Sequence, residues 1–292
     1  MSTSRWVPAG FLMPAIVLLL LLAIFPFVFT IMLAFGRVSL VGGLSIEFGT
    51  LRNWATLLAD DRFWNAARVT VTFVVVSVAI QYVLGLSLAL LVNRRLPGIT
   101  LLRVLFILPM TLTPIAVGYM WRMLFNESIG PLSDLLSRAG LGGIPWLSQG
   151  RYALASLIAV DVWHWTPFVM ILLLAGLQAV PQEVVEAATV DGATAWQRFR
   201  FVVFPLLVPT SLAAIVLRSL EAAKIVDEVY ILTGGGPGTS TESLTLYAYN
   251  VGLQGFNLAY GATIAIALFL GVLILTMVFL LSAWSLTASR MW

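Results

Sequence analysis

The chain has no cysteine and a single histidine in 292 residues. Without thiols there is no disulfide, no thiolate metal site and no cysteine nucleophile. With His164 alone, a histidine-rich metal site is excluded too. Charge is also scarce, at 10% of residues, where ordinary soluble domains carry about 25%. The net charge of +3 is dispersed, and no basic run points to nucleic acid. No Gly-x-x-x-x-Gly-Lys followed by Ser or Thr occurs, so any ATP the protein depends on must be bound by another chain. Alternating segments of about ten residues, the mark of a transmembrane barrel, are missing.

Apolar sequence is abundant instead. Hydrophobic residues make up 60% of the chain. Several windows reach the roughly 20 apolar residues that span a hydrocarbon core. The expected fold is an all-α polytopic membrane protein of about six helices, forming one transmembrane domain over 1–292. Hydropathy places the spans at Gly10–Phe35, Ala66–Val92, Leu101–Phe125, Tyr152–Ala179, Leu206–Leu232 and Asn257–Leu286. The first run is too long for a signal-peptide core and has only Arg5 before it, so it reads as a retained membrane helix. Prolines inside spans (Pro14, Pro26, Pro109, Pro114, Pro167) predict kinks.

An even number of spans puts both termini on one side, together with the short Asn93–Thr100 connection and the longer Val180–Pro205. Arg94, Arg95, Arg103, Arg198 and Arg200 cluster near those membrane ends. Arg37, Arg52, Arg62, Arg138 and Arg151 are spread along the other connections among Asp60, Asp61 and Asp134. The positive-inside tendency therefore places the termini in the cytoplasm.

Residues 183–205, EVVEAATVDGATAWQRFRFVVFP, are polar and helical between two membrane spans. Pro181 can open a helix. Gln182–Val190 has helical composition, with Glu183 and Glu186 toward the positive end of the dipole. Asp191-Gly192 is a turn signal. In a second short helix Trp196, Phe199 and Val203 fall at i, i+3 and i+7, one apolar stripe. Two short helices with small or apolar faces make either a knob for a groove in a partner or an interfacial pair lying on lipid headgroups. The Ala187-Ala188 pair favours docking, because small side chains allow close approach.

The same stretch resembles the signature loop of ABC-importer permeases, Glu-Ala-Ala-x3-Gly-x9-Ile-x-Leu-Pro. Glu186, Ala187, Ala188, Gly192 and Pro205 match at the right spacing, while Val202 stands for Ile and Phe204 for Leu. Asp191 before the glycine and Trp196 after it resemble the carbohydrate-uptake, maltose-type branch. LTGGGPGTSTESLTLYAY (232–249) is similar to that branch's loop after the fifth span. LFNESIGPLSDLL (124–136) resembles its segment after the third span, with Ser133 in place of an Asn. FWNAARVT (63–70) resembles its entry to the second, with Val69 in place of an Asn.

The resemblance implies a type I ABC-importer permease fold and a coupling loop over 181–205 that docks on a cytoplasmic ATPase subunit through Glu186, Ala187, Ala188, Asp191, Gly192 and Trp196. It implies a second homologous permease subunit, an ATPase dimer that holds ATP and Mg, and an extracytoplasmic solute-binding protein. This chain itself would carry no cofactor and perform no bond chemistry. The setting is the cytoplasmic membrane of a bacterium or archaeon.

Charge within a span marks a functional candidate. Read as one continuous helix, the fifth span places Glu221, Lys224 and Glu228 on one face at i, i+3 and i+7, with Asp227 beside them; Lys224 is the chain's only lysine. They either line a solute cavity or compensate one another structurally. Glu221, Lys224 and Asp227 are the candidate solute-binding residues, joined by Asn257 and Tyr260 at the start of the sixth span. His164 reads as a packing residue. Trp163 and Trp165, placed near the outer end of the fourth span, read as an interfacial belt ahead of the alternative, rings that stack on a sugar. The glycine-rich Thr233–Gly238 segment lacks a preceding strand, so it reads as a flexible outer loop rather than a phosphate cradle. A secondary, ion-coupled transporter is the alternative, but no inverted repeat supports it. A membrane enzyme lacks the residues for catalysis.

Overall fold

The computed structural model describes residues 6–39, 45–94 and 97–288, so Arg5 and Arg95 lie outside the described residues. In chain order the elements begin with α1 (Trp6–Leu19), a π-helical turn and α2 (Phe25–Ala34). Next come β1 (Gly36–Ser39), β2 (Ser45–Phe48), α3 (Arg52–Leu58) and α4 (Asp61–Val92). A broken pair, α5 (Ile99–Ile107) and α6 (Pro114–Leu124), precedes α7 (Pro131–Arg138) and α8 (Gly150–Gln178). The polar connection supplies α9 (Gln182–Val190) and α10 (Ala195–Arg198). Then follow α11 (Phe204–Ala223), α12 (Asp227–Leu232), α13 (Leu244–Tyr249) and α14 (Leu258–Ala288). Among the described residues, five helices are long and apolar enough to cross a membrane, or six if the bent α5–α6 pair is one span.

The chain divides into two compact units. One comprises Met1–Phe63 with Tyr247–Gly271, the other Trp64–Leu246 with Val272–Trp292. In the first, β1 and β2 pair antiparallel with Arg37 opposite Glu47, an opposite-charge pair that suits neighbouring strands. Among the described residues this small sheet is the one departure from an all-helical chain. Its core joins Leu33 and Ala34 of α2 to Ala262 and Ile266 of α14. Thr263 Oγ1 donates to the Ala34 carbonyl.

In the second unit α8 is the central helix: 61% of its apolar window is buried, against 33% for α4 and 17% for α11. Small residues set the spacing. A Cβ added at Gly85 of α4 would lie 2.9 Å from Val169 of α8, and one at Gly176 of α8 would lie 2.8 Å from Leu207 of α11. Such close backbone approach is how membrane helices gain packing contacts without a hydrophobic drive. Arg103 donates to the Val92 carbonyl at 2.7 Å, satisfying an end group of α4.

Two expected spans are interrupted. The third does not merely kink. α5 runs into a short 3-10 turn at Leu108–Thr111, and α6 leaves it at 95°. Leu112 and Thr113 are extended (ψ 148° and 143°) ahead of Pro114, because a residue before proline is disfavoured in the helical region. The fifth span ends at Ala223, not Leu232. Lys224 closes α11, Val226 leaves helical geometry at φ −142°, and α12 restarts with Asp227 and Glu228 in its first turn. Pro167, by contrast, sits inside an unbroken α8.

Candidate functional site

The polar connection folds as its punctuation requires. α9 covers Gln182–Val190, with Pro181 as its N-cap residue. Gly192 has φ +79°, a left-handed conformation that glycine adopts without penalty. Thr194 and Gln197 then form a capping box: the Gln197 N–H donates to Thr194 Oγ1 and the Thr194 N–H to Gln197 Oε1 at 2.8 Å. Arg198 donates to the Ala193 carbonyl at 3.0 Å, tying the turn to the second helix. Glu186, Ala187 and Asp191 are exposed and Ala188 is half-buried. Val190, Trp196 and Phe201 are 87%, 67% and 70% exposed, a concentration of bare apolar surface on a polar loop. The expected Trp196–Phe199–Val203 stripe is corrected. A π-helical turn at Phe199–Val203 breaks the period. Phe199 therefore lies between Trp196 and Phe204, each ring 5.8 Å away, and Val203 packs toward the α4–α8 core.

A second polar arrangement lies inside the helix bundle of the larger unit. Gln81 of α4, Asp161 of α8 and Arg218 of α11 are each at least 98% buried. Arg218 pairs with Asp161 Oδ1 and donates through Nε to Gln81 Oε1 at 2.9 Å. Gln81 Nε2 donates to Asp161 Oδ2 at 2.8 Å. The guanidinium lies 5.4 Å from the centre of the Trp165 ring, a cation–π contact. Beside this set, His164 faces Glu228 Oε1 through Nδ1 at 2.6 Å and the Leu112 carbonyl through Nε2 at 3.2 Å. His164 is thus engaged at both nitrogens. Trp163 and Trp165 stand 13 and 15 residues into the 29-residue α8, about 20 Å from its start. That is mid-helix, not the outer end expected for a belt.

Reading the sequence missed Arg218 and Gln81. Arg218 carries a signal, an arginine inside the apolar run AAIVLRSL. Its meaning appears only when partners from two other helices arrive.

A cavity of about 250 Å³ opens next to this set. Pro114, Asp161, Trp165, Arg218, Glu221, Lys224, Asp227 and Glu228 help to line it. Three solute candidates, Glu221, Lys224 and Asp227, therefore do come together. The shared helical face of Glu221, Lys224 and Glu228 is corrected, because the helix ends between Glu221 and Lys224. Lys224 pairs with Glu221 at 2.9 Å, both largely exposed, while Glu228 is buried on α12 with His164.

Asn257 and Tyr260 belong to the other unit and have local work there. Asn257 Oδ1 accepts the Tyr260 N–H at the start of α14. The Tyr260 and Tyr247 hydroxyls both donate to Asp60 Oδ2, and Asp60 Oδ1 accepts the Arg62 N–H, capping α4. Partial burial pushes the Asp60 carboxyl up, yet the two phenols and two backbone N–H groups together hold it below its ordinary value. Burial and the Asp60 carboxylate push the Tyr247 phenol up to about 12. A polar cavity of about 620 Å³ beside Asn257 and Tyr260 includes Arg37, Glu47 and Arg52 in its lining.

The Thr233–Gly238 segment is not a free loop. Gly234, Gly235 and Gly238 take positive φ. Thr241, fully buried, donates to the Gly236 carbonyl and shares a hydrogen bond with Thr233. Asn65 donates to the Thr239 carbonyl at 2.9 Å.

A family model described as the binding-protein-dependent transport system inner membrane component matches residues 81–285. The trehalose/maltose transport system permease protein of Thermococcus litoralis is 40% identical over 233 residues, 80% of this chain and 79% of that one. The trehalose transport system permease protein of Mycobacterium tuberculosis is 34% identical over 267 residues, 91% of this chain and 85% of that one. Among solved structures, a chain of a bacterial ABC transporter involved in import of the acidic polysaccharide alginate superposes with a TM-score of 0.84 at 22% identity. It covers 97% of this chain and 96% of that one, a likeness of fold.

Proposed function

Because the chain belongs to the family of inner membrane components of binding-protein-dependent transport systems, we propose that it is one permease half of an ATP-driven importer for a carbohydrate, whether oligosaccharide, disaccharide or polyol. The observation that carries the solute class is the 40% identity to a trehalose/maltose permease. The polar-lined cavity is consistent with it. Hydroxyl-rich solutes need donors and acceptors set against apolar walls, and Glu221, Lys224 and Asp227 present them beside Trp165.

The exposed Trp196 and Val190, the small Ala187 and Ala188, and the left-handed turn at Gly192 are the face offered to an ATPase subunit. Two such subunits, a second and different permease chain and an extracytoplasmic solute-binding protein complete the transporter. ATP and Mg belong to the ATPase pair. Docking of α9 and α10 places Val180–Pro205, and with it both termini, in the cytoplasm of a bacterial or archaeal cell. Closure of the ATPases moves this helix pair; α11, which follows α10 through a π-helical turn, and α8, joined to α9 across residues 179–181, carry the motion to the cavity.

The test is reconstitution with the ATPase, permease and binding-protein candidates encoded beside this chain. Carbohydrate-stimulated ATP hydrolysis with uptake is the expected result. Uptake by this chain without an ATPase, driven by an ion gradient, would sink the reading in favour of a secondary transporter.

A further inference from the structure

Both ring nitrogens of His164, a residue with no solvent exposure, face acceptors. A carbonyl oxygen only accepts, so Nε2, opposite Leu112, carries a hydrogen. A neutral ring then shows a bare lone pair at Nδ1. An ionised carboxylate oxygen is also acceptor-only, and two lone pairs do not settle 2.6 Å apart. A proton lies between them, either on Nδ1 with Glu228 ionised or on Glu228 with the ring neutral. Both forms hold one hydrogen more than a neutral imidazole beside a carboxylate.

The position of this proton matters because of what it joins. The Leu112 carbonyl is at the break between α5 and α6, where extended backbone and the missing N–H of Pro114 interrupt the helical ladder. Irregular backbone at membrane depth persists where a neighbour satisfies it, and His164 is that neighbour. Glu228 opens α12, which packs tightly on α6: a Cβ at Gly118 would meet Ile231 at 2.9 Å. Leu112, His164 and Glu228 thus tie the broken third span, through α8, to the helix after the fifth span.

The surrounding charges demand the proton as well. Asp161 of α8 and Arg218 of α11 are buried and paired. Glu221, Lys224 and Asp227 line the same cavity as Glu228. Arg122 of α6 donates to the Ile231 carbonyl. With the proton, the buried charges of Asp161, Arg218, His164 and Glu228 cancel. Without it, one negative charge is left buried and unpaired, a costly state.

We propose that His164 is a positioning residue for transport: it and Glu228 hold one proton between them, and that proton fastens the broken third span to α12, setting the cavity wall. The proton needs no functional premise; only its effect on uptake rests on the permease reading.

His164 is the sole histidine, so isotope-labelled histidine in this chain alone gives one ring signal in the complete transporter. Nitrogen NMR should show Nε2 protonated and Nδ1 shifted away from a bare, pyridine-type nitrogen by the proton it shares with Glu228. Uptake should fall about tenfold or more in Glu228→Leu, which leaves the buried Nδ1 without a partner. In Glu228→Gln the side-chain amide donates to Nδ1 in the proton's place, so it should recover most of the uptake that Glu228→Leu loses. A bare, pyridine-type Nδ1 in the wild-type complex, or equal losses of uptake in Glu228→Gln and Glu228→Leu, would overturn the proposal. If Glu228→Gln fails to assemble, the wild-type ring signal still decides. A wild-type complex whose Nδ1 shares a proton but which shows no solute-stimulated ATP hydrolysis would count against the permease reading and leave the proton in place.

Discussion

The Arg218 guanidinium and the Asp161 carboxylate, 57 residues apart in sequence, form an ion pair whose two side chains are each 2% exposed. Such a pair is weak evidence of stability, because desolvation offsets much of the attraction. Breaking it is another matter. Arg218→Met leaves Asp161 with Gln81 alone and should destabilise the bundle by about 3–5 kcal/mol. Joint replacement, Arg218→Met with Asp161→Leu, should recover most of that loss. Thermal unfolding of the detergent-solubilised chain reads both. A double variant no more stable than Arg218→Met would show that the pair is not the unit its geometry describes.

Gly192 needs its left-handed backbone, yet a Cβ there would meet nothing within 4 Å. The cost of Gly192→Val is therefore strain alone, about 1–2 kcal/mol, confined to the turn between α9 and α10. The bundle should still insert while solute-stimulated ATP hydrolysis falls. Gly192→Asn, which tolerates positive φ, should keep most of the coupling. Full coupling in the valine variant would remove the turn from the proposed coupling route.

The turn was legible because its signals are local. Pro181, the Asp191-Gly192 dipeptide and a run of helix formers delimit α9 at the residues expected, Gln182–Val190. Hydropathy likewise located the sixth span, α14, to within a few residues. The breaks in the third and fifth spans were not legible, since apolar composition continues across both. Pro109 and Pro114 do signal trouble, but Pro167 sends the same signal and α8 carries it unbroken. What separates them is tertiary: the carbonyl left at Leu112 finds a donor in His164, 52 residues away. Arg218 is visible in the sequence, whereas Gln81, 137 residues from it, gives no hint of being its partner.

The native absence of cysteine gives a clean background for topology. A single cysteine at Gln197, on the exposed face of α10, should react only from the cytoplasm. One at Ile129, 86% exposed between α6 and α7, should react only from outside. An impermeant thiol reagent applied to right-side-out and inverted vesicles distinguishes the two. Labelling of both from one face would undo the proposed orientation.

Asp60 supplies an acid-sensitive element in the smaller unit. Its folded carboxyl lies below the ordinary value of 3.8, so ionised Asp60 favours the folded state. That contribution is complete above the ordinary value and disappears as pH falls through the lower, folded one. Tyr247, pushed up to about 12, remains a hydroxyl donor throughout. Asp60→Asn should therefore unfold at lower temperature than wild type at neutral pH, and the gap should narrow below about pH 4. A gap of constant size down to about pH 3 would show that Asp60 acts by shape rather than charge.

Glu221 and Lys224 pose the sharpest question about the cavity. Their ion pair is 2.9 Å long, with side chains 58% and 60% exposed within this chain. Exposed pairs contribute about 0–1 kcal/mol, so the pair does little for the fold. Scaffolding and solute contact then separate cleanly. Glu221→Gln with Lys224→Met removes both charges and should leave unfolding temperature and complex assembly unchanged. If the two residues contact the solute, uptake should fall sharply at matched expression, because the ammonium donor and the carboxylate acceptor are gone from the cavity lining. Solute-stimulated ATP hydrolysis should fall less than uptake, since the coupling loop is untouched. Wild-type uptake in the double variant would refute the cavity role of this pair and return the search for solute contacts to Trp165 and Asp227 on the same wall.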